Sequence, residues 1–421
     1  MYVDNLILGA GIAGLAYAYE KRNEKTVVFE AESFSGGLCH SFNLQGFTFD
    51  SAVHLSFTKD SLVKDIFDKT VFYKHVPVAY NFYHGNWIKH PLINNLYPFN
   101  IQEKIAYIKS FVERGKYETI NNYGEWLQAS YGEEIARRFY YIYTKKYWTV
   151  DPSCLTTSWI GIRLNIPDIE KMLFGAFSPD TGNDYYADEM RYPAGNGGYE
   201  TFLRPLIGNV IIEYNKRAVN IDLSEKKVLF SDGTWCTYKK LASSMPLPEL
   251  AGIIKNLPLK IQEEARNLKA SKISLVSIAF NKPDISKYVW FYIYDEDIMA
   301  ARVNCPGIKS KENVLPGCSS MQFEIYHHPD DVVNERLVIE NTLQGIRKME
   351  LCGEDDILFV DYRLLPYGNV LFLHGMEKRR DCIKEYLQSH GIDLIGRFGE
   401  WDYLWSDQSY LSGRRWAKKL I

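Results

Sequence analysis

The chain has 421 residues, 46% hydrophobic and 24% charged, ordinary globular values that exclude bulk disorder and fibrous repeats and make two or three structural units the expectation. A net charge of −3 speaks against nucleic acid as a partner of the whole surface, no apolar run approaches the roughly 20 residues that span a bilayer, and the N-terminus lacks the basic n-region of a signal peptide. Seven scattered cysteines, an odd number, do not make a disulfide framework, so the chain reads as a reduced, cytoplasmic protein.

Residues 3–8 read as a short apolar strand. The turn Gly9-Ala10-Gly11-Ile12-Ala13-Gly14 follows, then a helix to about residue 21 and a second strand at 26–29 that ends at Glu30. A G-x-G-x-x-G turn between strand and helix sets backbone N–H groups at a helix N-terminus, where a pyrophosphate is favoured. Gly9 makes the turn, Gly11 admits the phosphate, Gly14 lets helix and strand pack, and Glu30 can accept ribose hydroxyls. After Glu30 and Ala31 a second glycine pair, Gly36-Gly37, precedes Leu38 and a hairpin at 39–50, where a dehydrogenase would continue into another β-α unit. That course suits an extended cofactor and favours FAD over NAD.

Helices are expected around 62–67, 101–115 and 135–143, with a strand pair at 78–83 and 87–88 between them. Residues 209–246 return to strands with a hairpin signal at Ser231-Asp232-Gly233. The β-branched and aromatic stretch 272–304 reads as strands, 331–351 as helix, 357–362 as strand and 378–389 as helix. A short strand, Gly396-Arg397-Phe398-Gly399 and a final helix close the chain. His327-His328 are adjacent and so point to opposite faces of a strand, which argues against a metal site. Lys145-Lys146 and the basic residues of the last helix read as solvated.

Several blocks resemble the flavin-dependent UDP-galactopyranose mutases and, more widely, the amine-oxidase and protoporphyrinogen-oxidase-like flavoproteins. They are Gly36-Gly37-Leu38 through Asp50 and His54; Trp87-Ile88-Lys89-His90-Pro91-Leu92-Ile93-Asn94-Asn95, which is similar to a Tyr-Pro-Phe-Gln-Asn-Asn stretch; and Tyr143 through Trp148 with Ser158-Trp159-Ile160-Gly161-Ile162-Arg163. Further along come Met190-Arg191-Tyr192-Pro193, Tyr288 through Tyr292 with Arg302, and Gly396 through Tyr403 with Asp407-Gln408-Ser409. The chain departs from the pattern at Ala52-Val53, where Gly-Gly precedes the histidine in the family, at Ile93, where the family has Gln, at Ala187, near a family asparagine, and at Pro366-Tyr367, a reordered pair.

The resemblance implies an α/β fold: a discontinuous Rossmann-like FAD-binding domain (1–71, 181–249, 366–421), a helical insert (96–180) and an antiparallel β-sheet layer (72–95, 250–365). It implies FAD, active when reduced, contacted by Gly9, Gly11, Ile12, Ala13, Gly14, Glu30, Ala31, Gly36, Gly37, Leu38, His54, Val219, Gly396, Arg397, Tyr403, Asp407, Gln408 and Ser409. It implies Arg163 and Arg302 as phosphate clamps, bidentate and always charged, with Tyr367 and Tyr403 as hydroxyl donors, and Trp159, Trp290 and Asn94 at the substrate. The reaction implied is pyranose–furanose interconversion of a nucleotide sugar, with reduced flavin as nucleophile and no net electron transfer, kept in the reduced state by NAD(P)H or a reductase. An oxidase or desaturase of the amine-oxidase type and a non-catalytic flavoprotein stand as alternatives. Outside the resemblance, arginines form interface salt bridges, tyrosines and tryptophans pack, and a histidine after a strand is a satisfied polar residue. Composition leaves the oligomeric state open.

Overall fold

In the computed structural model, residues 1–161, 163–164, 168–185 and 187–419 are described. The apolar strand Tyr2–Leu8 lies inside a seven-stranded sheet because it is covered on both faces: Leu6 and Leu8 enter one core and Ile7 another. It pairs in parallel with Thr26–Phe29 on one side and with Trp235–Ser243 on the other. The sheet continues outward through Lys227–Phe230 and Ala218–Asp222, and through Ile212–Glu213 at the opposite edge. Ile392–Leu394 joins from the far end of the sequence by pairing with the end of Trp235–Ser243. The expected hairpin forms at Gly233, where φ is +81°.

The helix Ile12–Glu20 covers this sheet, and Ser406–Lys418 packs across it. The two helices approach so closely that a Cβ on Gly413 would lie 2.0 Å from the Ala13 carbonyl oxygen. The basic residues of the last helix are not simply solvated. Arg414 and Lys418 both reach Glu20, at 2.7 and 3.1 Å.

A second seven-stranded sheet runs Ile357–Leu365, Lys272–Phe280, Ser319–His327, Arg302–Asn304, Trp290–Ile293, Tyr80–Tyr83, Asn86–Lys89. Its neighbours are antiparallel except at one join, where Trp290–Ile293 runs parallel to Tyr80–Tyr83 because the early hairpin enters from a distant part of the chain. Two expected boundaries shift. Residues 247–268 hold two short helices, Leu247–Gly252 and Leu259–Arg266; Ile261 and Ala265 of the second, and Leu257 between them, share a core with Ile383 and Leu387, so the segment packs with the first sheet although most of it follows residue 249. Strand Phe72–His75 pairs with Met190–Pro193 rather than with the second sheet.

Side-chain caps open the helices of the insert. Asn100 and Glu103 form a capping box ahead of Ile101–Val112, and the Asn122 side chain accepts from the Glu125 N–H ahead of Tyr123–Tyr131. The expected helix at 135–143 contains a π-helical stretch, Ala136–Tyr141. It leads into Ile142–Tyr147, and Ile169–Phe177 packs beside Ile101–Val112. Lys146, expected in solvent, is half-buried: its ammonium donates to the carbonyls of Ile293 and Asp295 and so fastens the insert to the second sheet. Burial pushes that amine down to about 7, against the pull of the Asp295 carboxylate.

Candidate functional site

A cavity of about 1380 Å³ opens where the two sheets and the insert meet. Ligand sites for one small molecule run to roughly 1,000 Å³, so this one has room for a dinucleotide and a second ligand. Its floor is the glycine turn. Gly9 has φ +97°, a conformation glycine adopts freely. A Cβ on Gly14 would sit 2.0 Å from the Gly9 carbonyl oxygen, so Gly14 serves packing and does not line the cavity. A Cβ on Gly11 would meet nothing within 4 Å, since that glycine faces the cavity. No side chain caps the helix Ile12–Glu20, which leaves its first N–H groups to a ligand. The second glycine pair lies against the first: the Gly36 N–H donates to the Ala10 carbonyl at 2.8 Å. Glu30 lines the cavity too, but its carboxylate already accepts from the Ala10 and Glu32 N–H groups, at 2.7 and 3.0 Å. The carboxylate therefore braces the turn as well as facing the ribose position.

Ile12, Ala13, Ala31, Gly37, Leu38, Val219, Gly396 and Ser409 also line the cavity. Asp407 and Gln408 do not. They sit in the first turn of the last helix, where Gln408 accepts from the Trp405 N–H. Asn94 also lies behind the wall, donating to Asp184, which does line the cavity. Ile162, part of one motif, is outside the described residues.

The arginines divide in a way the sequence does not show. Arg163 and Arg397 each place the guanidinium carbon 4.6 Å from the Tyr403 ring centre, and Arg163 lies equally close to Trp405. Arg163 donates to the carbonyls of Trp159 and Tyr403, at 3.0 and 2.6 Å, and Arg397 to the carbonyl of Leu404 and the side chain of Asn369. Neither has a carboxylate ion pair among the described residues, and the Nε of each is buried without a hydrogen bond. Burial lowers the Arg163 pKa, as expected for an uncompensated cation.

Arg302, by contrast, holds the buried Glu324 through two nitrogens, at 2.8 and 2.6 Å. Burial alone would lower its pKa, and the Glu324 carboxylate more than reverses that. The other oxygen of Glu324 accepts the Val53 N–H at 2.7 Å, so the carboxylate ties Arg302 to the segment leading into His54. Glu324 carries no motif, and it stands in the buried middle of a strand that mixes polar and apolar residues.

Tyr403 bonds the Tyr147 hydroxyl at 2.7 Å, and Tyr367 faces Glu249 and the Phe398 ring. Trp159 and Trp148 stand with ring centres 4.5 Å apart, while Trp290 donates to the Tyr292 hydroxyl at 3.2 Å. All of these but Glu324 line the cavity, and Trp148, beside the expected Trp159, goes beyond the expected set. His54 bonds the Ala52 carbonyl through Nδ1 at 3.1 Å and leans on Tyr199. A carbonyl only accepts, so Nδ1 carries the hydrogen, and burial pushes the imidazole down to about 4.

The open Gly11 face, the uncapped helix and the two unpaired guanidinium groups fit a dinucleotide beside a second anionic ligand. Comparison with known proteins agrees on the fold. Residues 7–70 match the model of an NAD(P)-binding Rossmann-like domain. A stretch of 54 residues is 43% identical to all-trans-retinol 13,14-reductase of Danio rerio, covering 12% of this chain and only 9% of that protein. A reduced UDP-galactopyranose mutase superposes with a TM-score of 0.93 over 99% of this chain and 95% of its own, at 23% identity. A redesigned putrescine oxidase superposes with a TM-score of 0.66 over 100% of this chain and 99% of its own, at 13% identity. The chain thus carries a Rossmann-like dinucleotide-binding domain set within the fold of UDP-galactopyranose mutase.

Proposed function

We propose that the protein is an FAD-dependent mutase that interconverts the pyranose and furanose forms of a nucleoside-diphosphate sugar, with the UDP-galactose pair as first candidate. The observation that carries this reading is the pair Arg163 and Arg397: two cavity-lining cations with no carboxylate ion pair among the described residues and a buried Nε on each without a hydrogen bond. A diphosphate satisfies them, while an ammonium substrate is repelled. FAD, when bound and reduced, supplies the nucleophile that displaces the nucleoside diphosphate from the anomeric carbon. The turn at Gly9–Gly14 and Glu30 hold its dinucleotide part. Arg163 and the Tyr403 hydroxyl keep the detached diphosphate in place for its return. Arg302, already neutralised by Glu324, orients rather than adds charge. His54, neutral at pH 7, presents an acceptor Nε2. A nicotinamide cofactor or a reductase provides the electrons that make the flavin competent.

The aromatic wall of Tyr143, Tyr147 and Tyr292, together with the putrescine oxidase fold, supports a second reading as an oxidase. One experiment separates them. Protein with reduced flavin is incubated with UDP-galactopyranose or UDP-galactofuranose and followed by anion-exchange chromatography, with oxidised and Arg163→Ala controls. Interconversion only in the reduced enzyme is expected, with kcat/KM lowered roughly tenfold to a hundredfold in the variant. Oxygen consumption with an amine substrate and no conversion of nucleotide sugars would replace the mutase reading with the oxidase one.

A further inference from the structure

His90 stands at the mouth of the His90-Pro91-Leu92-Ile93 block, in the place of the tyrosine that begins the family's stretch. It lines the cavity, with its ring centre 5.1 Å from Tyr292 and 6.0 Å from Tyr185. Its tautomer is fixed from behind. The side-chain amide of the fully buried Asn81 donates from Nδ2 to the Ile88 carbonyl at 3.1 Å, which turns Oδ1 toward the imidazole. His90 Nδ1 lies 3.3 Å from that oxygen. Oδ1 can only accept, so Nδ1 carries the hydrogen and Nε2 is left with a lone pair. Asn81 is not part of the cavity wall, so the Nδ1 side of the ring points into the protein. No described residue hydrogen-bonds Nε2.

Resting on the nucleotide-sugar reading above, we infer that His90 presents a neutral imidazole Nε2 to the cavity as a fixed hydrogen-bond acceptor, which selects ligands carrying an N–H or O–H donor at that point. A tyrosine there could serve as donor or acceptor by rotating its hydroxyl, whereas the Asn81-locked imidazole can only accept. Burial keeps the ring uncharged, pushing it down to about 4, so it remains an acceptor throughout the neutral range. The donor belongs to either the nucleobase, as a ring N–H, or the sugar, as a hydroxyl. Both make the same contact.

Two measurements test this on the flavin-loaded protein. The first is long-range ¹H–¹⁵N NMR of ¹⁵N-histidine-labelled protein, with His90 identified by its absence in His90→Phe. A pyridine-type Nε2 is expected; a protonated Nε2 would overturn the inference whatever the ligand. The second is titration calorimetry of wild type and His90→Phe with UDP, N3-methyl-UDP and UDP-galactopyranose. If the base supplies the donor, His90→Phe weakens UDP about tenfold and leaves N3-methyl-UDP unchanged. If the sugar supplies it, UDP binds both proteins alike and only UDP-galactopyranose is weakened. Equal losses for all three ligands, or none, would reduce His90 to a packing residue and overturn the inference. Failure of wild type to bind any of them would instead remove the nucleotide-sugar reading and this inference with it.

Discussion

Gly11 and Gly14 share one turn and should answer the same substitution in opposite ways. Alanine at 14 drives a methyl into the Gly9 carbonyl, so Gly14→Ala is expected to cost about 1–3 kcal/mol and to lower the Tm. Alanine at 11 meets no protein atom, so Gly11→Ala should keep its Tm in the flavin-free state and lose flavin affinity, read from the flavin absorbance retained after gel filtration. The two buried imidazoles give a second residue-scale prediction. His54 and His90 are pushed down to about 4 from an unfolded value near 6.5, so their neutral forms favour the fold above pH 6.5, and that contribution is lost as the pH falls from about 6.5 toward 4. Urea denaturation at pH 7 and pH 5 should show a smaller loss of stability in His90→Phe than in wild type. At this scale the sequence displays whatever a fixed spacing carries. Gly9, Gly11, Gly14 and Glu30 are legible because phosphate and ribose geometry dictates their separation. The neutralisation of Arg302 is not legible, because Glu324 sits 22 residues away and meets it only through strand register. For the same reason the sequence does not show that Arg397, expected as a flavin contact, has no carboxylate ion pair among the described residues.

Between elements, one joint is the ion pair of Asp50 and Lys309, 2.6 Å apart and almost wholly buried. Asp50 closes the hairpin strand Phe47–Asp50 and also accepts from the Tyr192 hydroxyl, the Ser41 hydroxyl and the Tyr199 N–H. Lys309 ends the short helix Pro306–Lys309 below the second sheet. Burial alone would raise the Asp50 pKa, and the Lys309 ammonium holds it below the ordinary carboxylate value. Lys309→Met leaves a buried carboxylate without a countercharge and is expected to destabilise by about 3–5 kcal/mol, whereas Asp50→Asn with Lys309→Met should recover much of that in chemical denaturation. Elements themselves are legible where local chemistry sets them. The helix Ile101–Val112, the Gly233 turn and the strand Lys272–Phe280 all appear where the pattern puts them. The parallel join at Tyr80–Tyr83 and the docking of residues 247–268 on the first sheet depend on which distant surface offers a matching apolar face, which no local pattern encodes. The burial of Lys146 is of the same kind, since the carbonyls it meets belong to another layer.

On the scale of the whole molecule, both sheets and the insert contribute walls to a single cavity, so a ligand there ties the layers together. Saturation at a hundred times the dissociation constant adds about 2.7 kcal/mol to the native state. Removing the flavin should therefore lower the Tm by several degrees and restoring FAD should recover it, as differential scanning calorimetry can show. Among the described residues no helix is long and apolar enough to cross a membrane.

The cavity floor is also a record of the order of synthesis. The ribosome makes the glycine turn hundreds of residues before Ile392–Leu394 and the cavity-lining Gly396, Arg397 and Ser409 emerge. Until they do, the turn has no opposite wall. On the FAD reading proposed above, retained flavin then reports that these residues are in place: a product lacking residues 392–418 should come off the column colourless, however well its first strands have paired.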